Sequence, residues 1–357
     1  GKFLGLKIHL KANMGAYLSQ YAPHIPFLGA SMATGLYDIP ALGMDIDLVY
    51  TNTTPVDAYR GAGRPEATYT IERLVDACAA EMGIDRVELR RRKFIQPEQF
   101  PYTTPARRTY DVGRFDQHLN EAIAKVGWDD FEWRRQEAAI RGKWRGIGMA
   151  TYIEACAFKG SEPAVIDLRE DGGVTVYIGT QANGQGHQTA YAQFAADKLG
   201  LHIDQIEVRQ GDTKELKKGG GTGGSRSIPL GGVSVSIAAN SLADSIRAKA
   251  AEILEVAEDK LVLDDAVVRE KDANSFVSFA DVAAAFDEPL TATGTFDQPE
   301  ATYPNGTHIC ELEVDPETGV TELINYTIVD DFGVLVNPMM LMGQVHGGVV
   351  HGIGQCL

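Results

Sequence analysis

The stretch Gly179-Thr180-Gln181-Ala182-Asn183-Gly184-Gln185-Gly186-His187-Gln188 constrains this chain more than any other. It follows a strand-like run, Val174 to Ile178, and leads into a helix-like run, Thr189 to Leu199. Glycines at such a strand-to-helix turn let the backbone come close to a ligand. The helix start adds unpaired N–H groups and the positive end of a dipole, so phosphate or another anion is the natural guest. The spacing is not the dinucleotide fingerprint, because no second strand with an acidic residue follows in the right place. Taken alone, the stretch also fits a plain glycine turn into a helix. Three other unusual loops give it weight.

The first of these is Asp57-Ala58-Tyr59-Arg60-Gly61-Ala62-Gly63-Arg64-Pro65-Glu66. Pro65 suits the first turn of a helix and Glu66 suits its dipole. That helix should place Ile71, Leu74, Val75, Cys78 and Met82 on one face and stop at Gly83. Arg60 and Arg64 thus flank a glycine loop at a helix start. They read either as two surface arginines on a turn or as a loop shaped to pass close to a bound group. The second loop is Gly219-Gly220-Gly221-Thr222-Gly223-Gly224-Ser225-Arg226-Ser227, ahead of a long helix with Leu242, Ile246, Ala250 and Ile253 on one side. A glycine loop carrying Ser, Arg and Ser before a helix fits phosphate or pyrophosphate. The alternative is a flexible linker, which rarely sits between a strand and a long buried helix. The third is the apolar, glycine-rich helix at the end of the sequence, Gly343-Gln344-Val345-His346-Gly347-Gly348 and onward to Leu357, which follows Asn337-Pro338. His346 and His351 are five apart, off the spacing that puts two ligands on one helix face. They read as packing groups, not as a zinc pair.

The remaining segments fill in a fold. Leu4 to Leu10 and Asp45 to Thr51 have strand patterns. Asp85 and Glu88 open a second helix through about Phe94. Ile95 to Tyr102 should be an extended connector, with Pro97 and Pro101. Helices are expected over Asp116–Val126 and Trp133–Arg141, and a strand over Trp144–Tyr152. Hairpins are expected around Asp171-Gly172-Gly173 and Asp315-Pro316-Glu317-Thr318-Gly319. Strand–helix alternation is irregular and hairpins are frequent, so an α+β fold with mixed sheets is expected, not a doubly wound one. The boundary between two domains is placed near Arg141 to Gly146, giving domains 1–144 and 145–357.

Charge and cysteine usage narrow the function. A net charge of −16 argues against nucleic acid or an anionic membrane as partner. No apolar run approaches a membrane span and no signal peptide is visible, which fits a cytoplasmic protein. Cys78, Cys156, Cys310 and Cys356 are far apart and form no C-x-x-C pair, so neither zinc nor an iron–sulfur cluster can be read from them. No metal is assigned to protein side chains.

In order along the chain stand Ala58-Tyr59-Arg60-Gly61-Ala62-Gly63-Arg64, Phe94 to Tyr102, Gly184-Gln185-Gly186-His187, Gly224-Ser225-Arg226-Ser227, and Asn337-Pro338 with Gly343 to Gly348. This series resembles the molybdenum-binding large subunit of the xanthine oxidase family, in its carbon monoxide dehydrogenase branch, over essentially the whole chain. The resemblance implies two related cofactor-binding units and a molybdenum hydroxylase. It implies a metal held by the dithiolene of a pterin, as molybdopterin cytosine dinucleotide, and not by side chains. Gln185 matches the family glutamine that hydrogen-bonds an oxo ligand on the metal. Arg60, Gly61 and Ala62 match the segment beside it. Gly184, Gly186, His187, Gly224, Ser225, Arg226, Ser227 and Gln344 match cofactor-contacting regions. The resemblance further implies water as oxygen source, a glutamate base, and electron transfer to two-iron, two-sulfur and FAD subunits in a dimer of heterotrimers.

Two departures from the family pattern follow. Carbon monoxide oxidisers carry a copper-binding cysteine where this chain has Gly61, and without a thiolate a Cu(I) site loses its soft ligand. An aldehyde or aromatic N-heterocycle is therefore the expected small-molecule substrate. The family's base glutamate lies beyond Leu357 and a substrate-side domain precedes Gly1, so the chain reads as a central fragment, inactive by itself. The competing readings are a truncated, non-catalytic relative acting as a structural module, and a nucleotide-binding protein of unrelated fold.

Overall fold

The computed structural model describes residues 1–216 and 218–357. The chain runs β1 (Leu6–Gly15), α1 (His24–Ala30), β2 (Leu42–Tyr50), α2 (Arg64–Met82), α3 (Arg86–Lys93), β3 (Tyr102–Thr103), β4 (Thr109–Tyr110), α4 (Phe115–Val126), α5 (Phe131–Ile140) and β5 (Trp144–Ile153). It continues through β6 (Gly160–Leu168), β7 (Val174–Ile178), α6 (His187–Leu199), β8 (Ile206–Arg209), α7 (Val233–Leu254), β9 (Leu261–Asp264), β10 (Val267–Glu270), β11 (Phe276–Ser278), α8 (Phe279–Ala284) and β12 (Thr291–Gln298). It closes with β13 (Asn305–Val314), β14 (Thr321–Asp331) and α9 (Pro338–Cys356). The class is α+β with mixed sheets, and no helix of the described residues is long and apolar enough to cross a membrane.

Two compact units divide the chain. The first takes Gly1–Ala155, Thr302–Gly333 and Leu357. Its β1 and β2 pair in parallel, and β5, β13 and β14 form an antiparallel sheet in the order β14-β13-β5. Strand β5 belongs here because it pairs with β13 along its whole length, Trp144↔Val314 to Ile153↔Asn305. The Asp315 turn between β13 and β14 is closed by the Asp315 carboxylate, which accepts from the Glu317 and Thr318 amides at 2.9 and 3.2 Å. Helix α4 packs on β13 and β14 through Phe115, Leu119, Ala122 and Val126, an i, i+4, i+7 stripe. Helix α3 starts where Asp85 accepts from the Val87 and Glu88 amides.

Helix α2 differs from its expected face. The buried line is Ala67, Ile71, Val75 and Ala79, whereas Leu74 and Met82 are exposed and Cys78 is half-buried. A strict four-residue spacing puts small and branched residues inside, and the larger Leu74 and Met82 lie off that line. The connector 95–102 contains a short 3-10 turn at Pro97–Gln99.

The second unit takes Cys156–Ala301 and Val334–Cys356. Its four-stranded sheet has the order β12-β6-β7-β8, with the β7–β8 pair parallel and the others antiparallel. Alternate residues Ala164, Ile166 and Leu168 of β6 and Val174, Val176 and Ile178 of β7 are buried. They meet α7 at Val235, Ala238, Leu242, Ile246 and Ala250, while Ile253 is 42% exposed and outside this face. Each fully buried aliphatic chain contributes roughly 1.5–3 kcal/mol. Gly294 lets β12 come close to α7: a Cβ there would meet the Ser234 carbonyl oxygen at 2.3 Å. Strands β9, β10 and β11 make a small antiparallel sheet beside α7.

Candidate functional site

Helix α6 begins at His187, two residues before the periodicity suggests, and this places His187 in its first turn. Its N-cap is Gly186 at φ +78°, which gives no side-chain cap, and the first turn holds no acidic residue. The first amides of a 13-residue helix thus face a guest with neither a competing acceptor nor a repelling charge. Gly184, at φ +102°, keeps the turn open: an added Cβ there would meet nothing within 4 Å. Gln185 is half-buried, and its Oε1 folds back to accept from the Asn183 amide. His187 is buried, and burial pushes its imidazole below the usual range against a hydrogen bond with the Thr180 backbone. Its Nδ1 has no hydrogen-bond partner among the described residues.

The glycine loop before α7 lies against this turn. Thr222 Oγ1 donates to the Gln181 carbonyl at 2.6 Å. Gly179 and Gly219 touch backbone to backbone: a Cβ on Gly179 would sit 2.3 Å from the Gly219 Cα. Tyr191, from α6, donates to the Ser227 carbonyl at 2.9 Å and also bonds the Thr180 hydroxyl. Ser227–Gly232 winds as one π-helical turn, a geometry that recurs at functional sites. Gly224 and Ser225 are exposed, both with positive φ, and Ser227 is buried. Gly221 and Gly223 have open space where a side chain would go.

The start of α9 adds a third side. Asn337 caps it, accepting from the Met340 amide at 3.0 Å, and its Nδ2 donates to Gln193 Oε1 of α6 at 3.0 Å. Met340 occupies the space over Gly186, 2.3 Å from where a Cβ would stand. Gln344 is exposed one turn further along α9. The reading of His346 and His351 as packing groups is not met by this helix. None of its residues is buried, and His346 and His351 are exposed.

The Arg60 loop belongs to the first unit and is built separately. Asp57 opens it, accepting from the Ser19 hydroxyl and the Tyr21 and Ala58 amides, and these bonds hold its carboxyl below the usual range. Arg60 is exposed, and Gly61 and Ala62 are half-buried. Arg64 closes the loop: its Nη1 donates to the Ala62 carbonyl at 2.9 Å and its Nε to Glu154 at 2.6 Å. Burial raises the Glu154 carboxyl above its usual range despite the Arg64 charge beside it. Gly63 is compulsory, since a Cβ would stand 2.0 Å from the Ile25 carbonyl oxygen. Gly61, at φ +91°, is closed in by the ring of Pro65, 2.7 Å from an added Cβ. A cleft of about 390 Å³ borders this loop at Asp57 and Gly63; its walls are mostly apolar, among them Ile8, Leu10 and Met44, with Asn13, Glu66 and Thr70 as polar lining.

Two placements were not legible as function. The Arg226 guanidinium turns inward, to the Ser161 carbonyl at 2.6 Å, the Gly221 carbonyl at 3.0 Å and Glu162 at 2.9 Å. Glu162 itself escaped notice. The available signal was an acidic residue in phase with the inward-facing Ala164, Ile166 and Leu168.

The second unit therefore fits an anionic cofactor: open glycine turns, an uncapped helix start and a buried imidazole nitrogen without a partner among the described residues. Residues 121–357 and 1–94 each match a family profile described as a molybdopterin cofactor-binding domain. The carbon monoxide dehydrogenase large chain of Hydrogenophaga pseudoflava is 36% identical, covering 99% of this chain and 47% of the relative. The nicotine 6-hydroxylase large subunit of Paenarthrobacter nicotinovorans is 33% identical, covering 100% and 47%. Quinoline 2-oxidoreductase from Pseudomonas putida 86 superposes with a TM-score of 0.88 at 30% identity, over 99% of this chain and 48% of that one. The chain thus spans about half the length of the curated relatives it matches. It belongs to the molybdopterin-binding large subunits of the xanthine oxidase family.

Proposed function

We propose that this chain forms the cofactor-holding part of a molybdenum hydroxylase large subunit that oxidises an aromatic N-heterocycle or an aldehyde. Residues 1–144 would come from its first molybdopterin-binding domain and 145–357 from its second. The observation that carries the reading is the convergence of two open glycine loops on the uncapped start of α6. The bound cofactor, as its cytosine dinucleotide, supplies two-electron oxidation with oxygen taken from water. Within the chain, Gly184, Gly186 and His187 hold anionic groups by backbone amides. Gly224, Ser225 and Ser227 line the second loop, with Gln344 on α9. Gln185 donates through Nε2 to an oxygen near the metal, as the resemblance implies, and Arg60, Gly61 and Ala62 supply the metal-side segment of the first unit. Electrons leave to iron–sulfur and FAD subunits in a cytoplasmic dimer of heterotrimers.

The backbone at Gly61 speaks against carbon monoxide as substrate. A cysteine there would need an L side chain at φ +91° and would drive its Cβ into the Pro65 ring. The heterocycle reading is favoured by two relatives, whose names say that they act on nicotine and quinoline.

The test is molybdenum content and released cytidine monophosphate in the protein purified with its partner subunits from a host that makes the cofactor. One molybdenum and one nucleotide per chain is the expected result. Neither, in a well-folded complex, would overturn the reading in favour of a non-catalytic module. In the loaded enzyme, Gln185→Ala should slow turnover about 10- to 100-fold, the loss of one hydrogen bond of roughly 1–3 kcal/mol at the transition state. Unchanged turnover at full metal content would remove Gln185 from the mechanism.

A further inference from the structure

The inward-facing pair Glu162–Arg226 has no part in the chemistry proposed above, yet it stands where the two glycine loops meet. Glu162 lies on β6, in the inward phase of the strand, and is fully buried. Its Oε2 accepts from the Gly220 amide at 2.8 Å and pairs with Arg226 Nη1 at 2.9 Å. Its Oε1 has no hydrogen-bond partner among the described residues. Three glycines are wrapped around this carboxylate. A Cβ on Gly179 would stand 2.4 Å from Oε1, one on Gly219 3.4 Å from it, and one on Gly220 2.8 Å from Oε2 and 2.0 Å from Arg226 Nη1. Arg226 carries the tie onward to the Ser161 and Gly221 carbonyls. One side chain therefore joins the strand β6, the exit from β7 and the loop 219–226.

We infer that Glu162 is a positioning residue that sets the shape of the 219–226 loop and so governs how well the site retains its cofactor. This rests on the cofactor reading given above, but part of its test does not. A buried carboxylate and guanidinium each lose far more when left alone than when paired. The pair therefore resists any arrangement of the loop that separates Gly220 and Arg226 from β6. The glycines have no side chains with which to hold the loop, and their backbone freedom would otherwise favour many conformations. Glu162 removes that freedom from behind, while the outer surface of the loop, at Gly221 and Gly223, stays open for a guest. In this assignment Arg226 serves the site by completing the tie, and its charge is committed to Glu162 and not to a phosphate.

The experiment compares the wild-type protein, purified with its partner subunits, with Glu162→Gln, Arg226→Met and the double variant Glu162→Gln/Arg226→Met. Two quantities are read: amide hydrogen exchange in the cofactor-free protein, and molybdenum with cytidine monophosphate per chain. In Glu162→Gln, residues 218–227 should exchange at least tenfold faster while α7 keeps its protection. Cofactor content should fall at least threefold. The double variant should recover part of both losses, because it leaves no lone buried charge. Unchanged loop exchange in Glu162→Gln would overturn the inference. So would faster exchange spread equally over α7, since that is general destabilisation. A direct Arg226–phosphate contact predicts the opposite pattern: Arg226→Met loses cofactor, Glu162→Gln does not, and the double variant shows no recovery. That result also overturns it. Wild-type protein devoid of cofactor would defeat the cofactor reading alone and leave the exchange measurement to decide the loop.

Discussion

Glu72 with Arg90 in the first unit and Glu162 with Arg226 in the second are both buried carboxylates paired with a guanidinium, and the two differ in what surrounds them. In the first unit, Arg90 of α3 is fully buried and gives Nε and Nη2 to Glu72 Oε2 at 3.0 and 2.9 Å and Nη1 to Asp76 at 2.8 Å. Glu72 Oε1 accepts from the Tyr37 and Thr151 hydroxyls, and its Oε2 from the Thr151 amide at 2.9 Å. Burial, then the Glu72 charge, push the Tyr37 phenol well above its usual range, so it stays a donor. This network is closed: it locks α2, α3 and β5 together and offers nothing to a ligand. In the second unit, Glu162 keeps an oxygen without a partner, and its neighbours are glycine loops with open space beside them. Buried polar groups are as a rule fully hydrogen-bonded, so the oxygen that Glu162 leaves without a partner among the described residues sets it apart from Glu72.

Breaking the closed network should give the largest effect. Arg90→Met strands Glu72 and Asp76 without their cation, and removing one partner of a buried pair costs about 3–5 kcal/mol. Urea unfolding should show a loss of that order with little change in the slope. A loss below about 1 kcal/mol would mean that the first unit is no more rigidly tied than the second. The same change leaves the loops of α6 and α7 untouched, so cofactor content measured in protein that remains folded should stay at the wild-type level.

A second way to sharpen the contrast uses two buried histidines. His118 of α4 bonds the Thr307 hydroxyl through Nδ1 at 2.6 Å, while its Nε2 lacks a partner among the described residues. Burial pushes its imidazole down to about 4, against the charges of Asp330 and Asp331. The folded value lies below the unfolded one, so the unfolded chain takes the proton first and stability falls as pH drops. The window runs from the unfolded value near 6.5 to about 4, and the loss across it is up to about 3 kcal/mol. The readout is the difference between wild type and His118→Gln in unfolding free energy from pH 7 to 4. The wild type should lose the larger share. Parallel curves would show that His118 is not neutral in the fold. His187, also pushed down by burial, should behave alike in cofactor-free protein.

The sequence announced the loops more clearly than what holds them. Glycine runs before helix starts, the Asp315 turn and the hairpin about Asp171-Gly172-Gly173 are local patterns, and the structure has each of them, with α6 starting two residues early at His187. The buried face of α2 was misjudged because Leu74 and Met82 are apolar but lie off the four-residue line that the fold covers. Arg226 reads in the sequence only as part of a glycine loop, because its partner Glu162 stands 64 positions earlier, on β6. The same holds for Arg64 and Glu154, and for Arg90 and Glu72: an ion pair is a property of the fold, and a single sequence does not carry its pairings. The assignment of β13 and β14 to the first unit was equally hidden, since only pairing with β5 puts them there.

The smallest effect compares two glycines of similar positive φ, one in each unit. Gly61 has φ +91° and Gly184 φ +102°, so an alanine at either adopts a backbone that L residues avoid, at roughly 1–3 kcal/mol. Their surroundings differ. At Gly61 the Pro65 ring atoms stand 2.7 and 2.9 Å from the new Cβ, and a proline ring has little room to yield. At Gly184 no atom lies within 4 Å. Overpacking should add about 1–3 kcal/mol at Gly61 alone. Gly61→Ala should therefore melt lower than Gly184→Ala, with the steric clash at Pro65 as the difference between them. In function the order should reverse for the anion site. A methyl group at Gly184 projects into the open space before α6, so Gly184→Ala should lower cofactor content more than it lowers stability. If both variants melt alike, the Arg60 loop yields where the structure shows it closed, and the case against a side-chain ligand at position 61 falls with it.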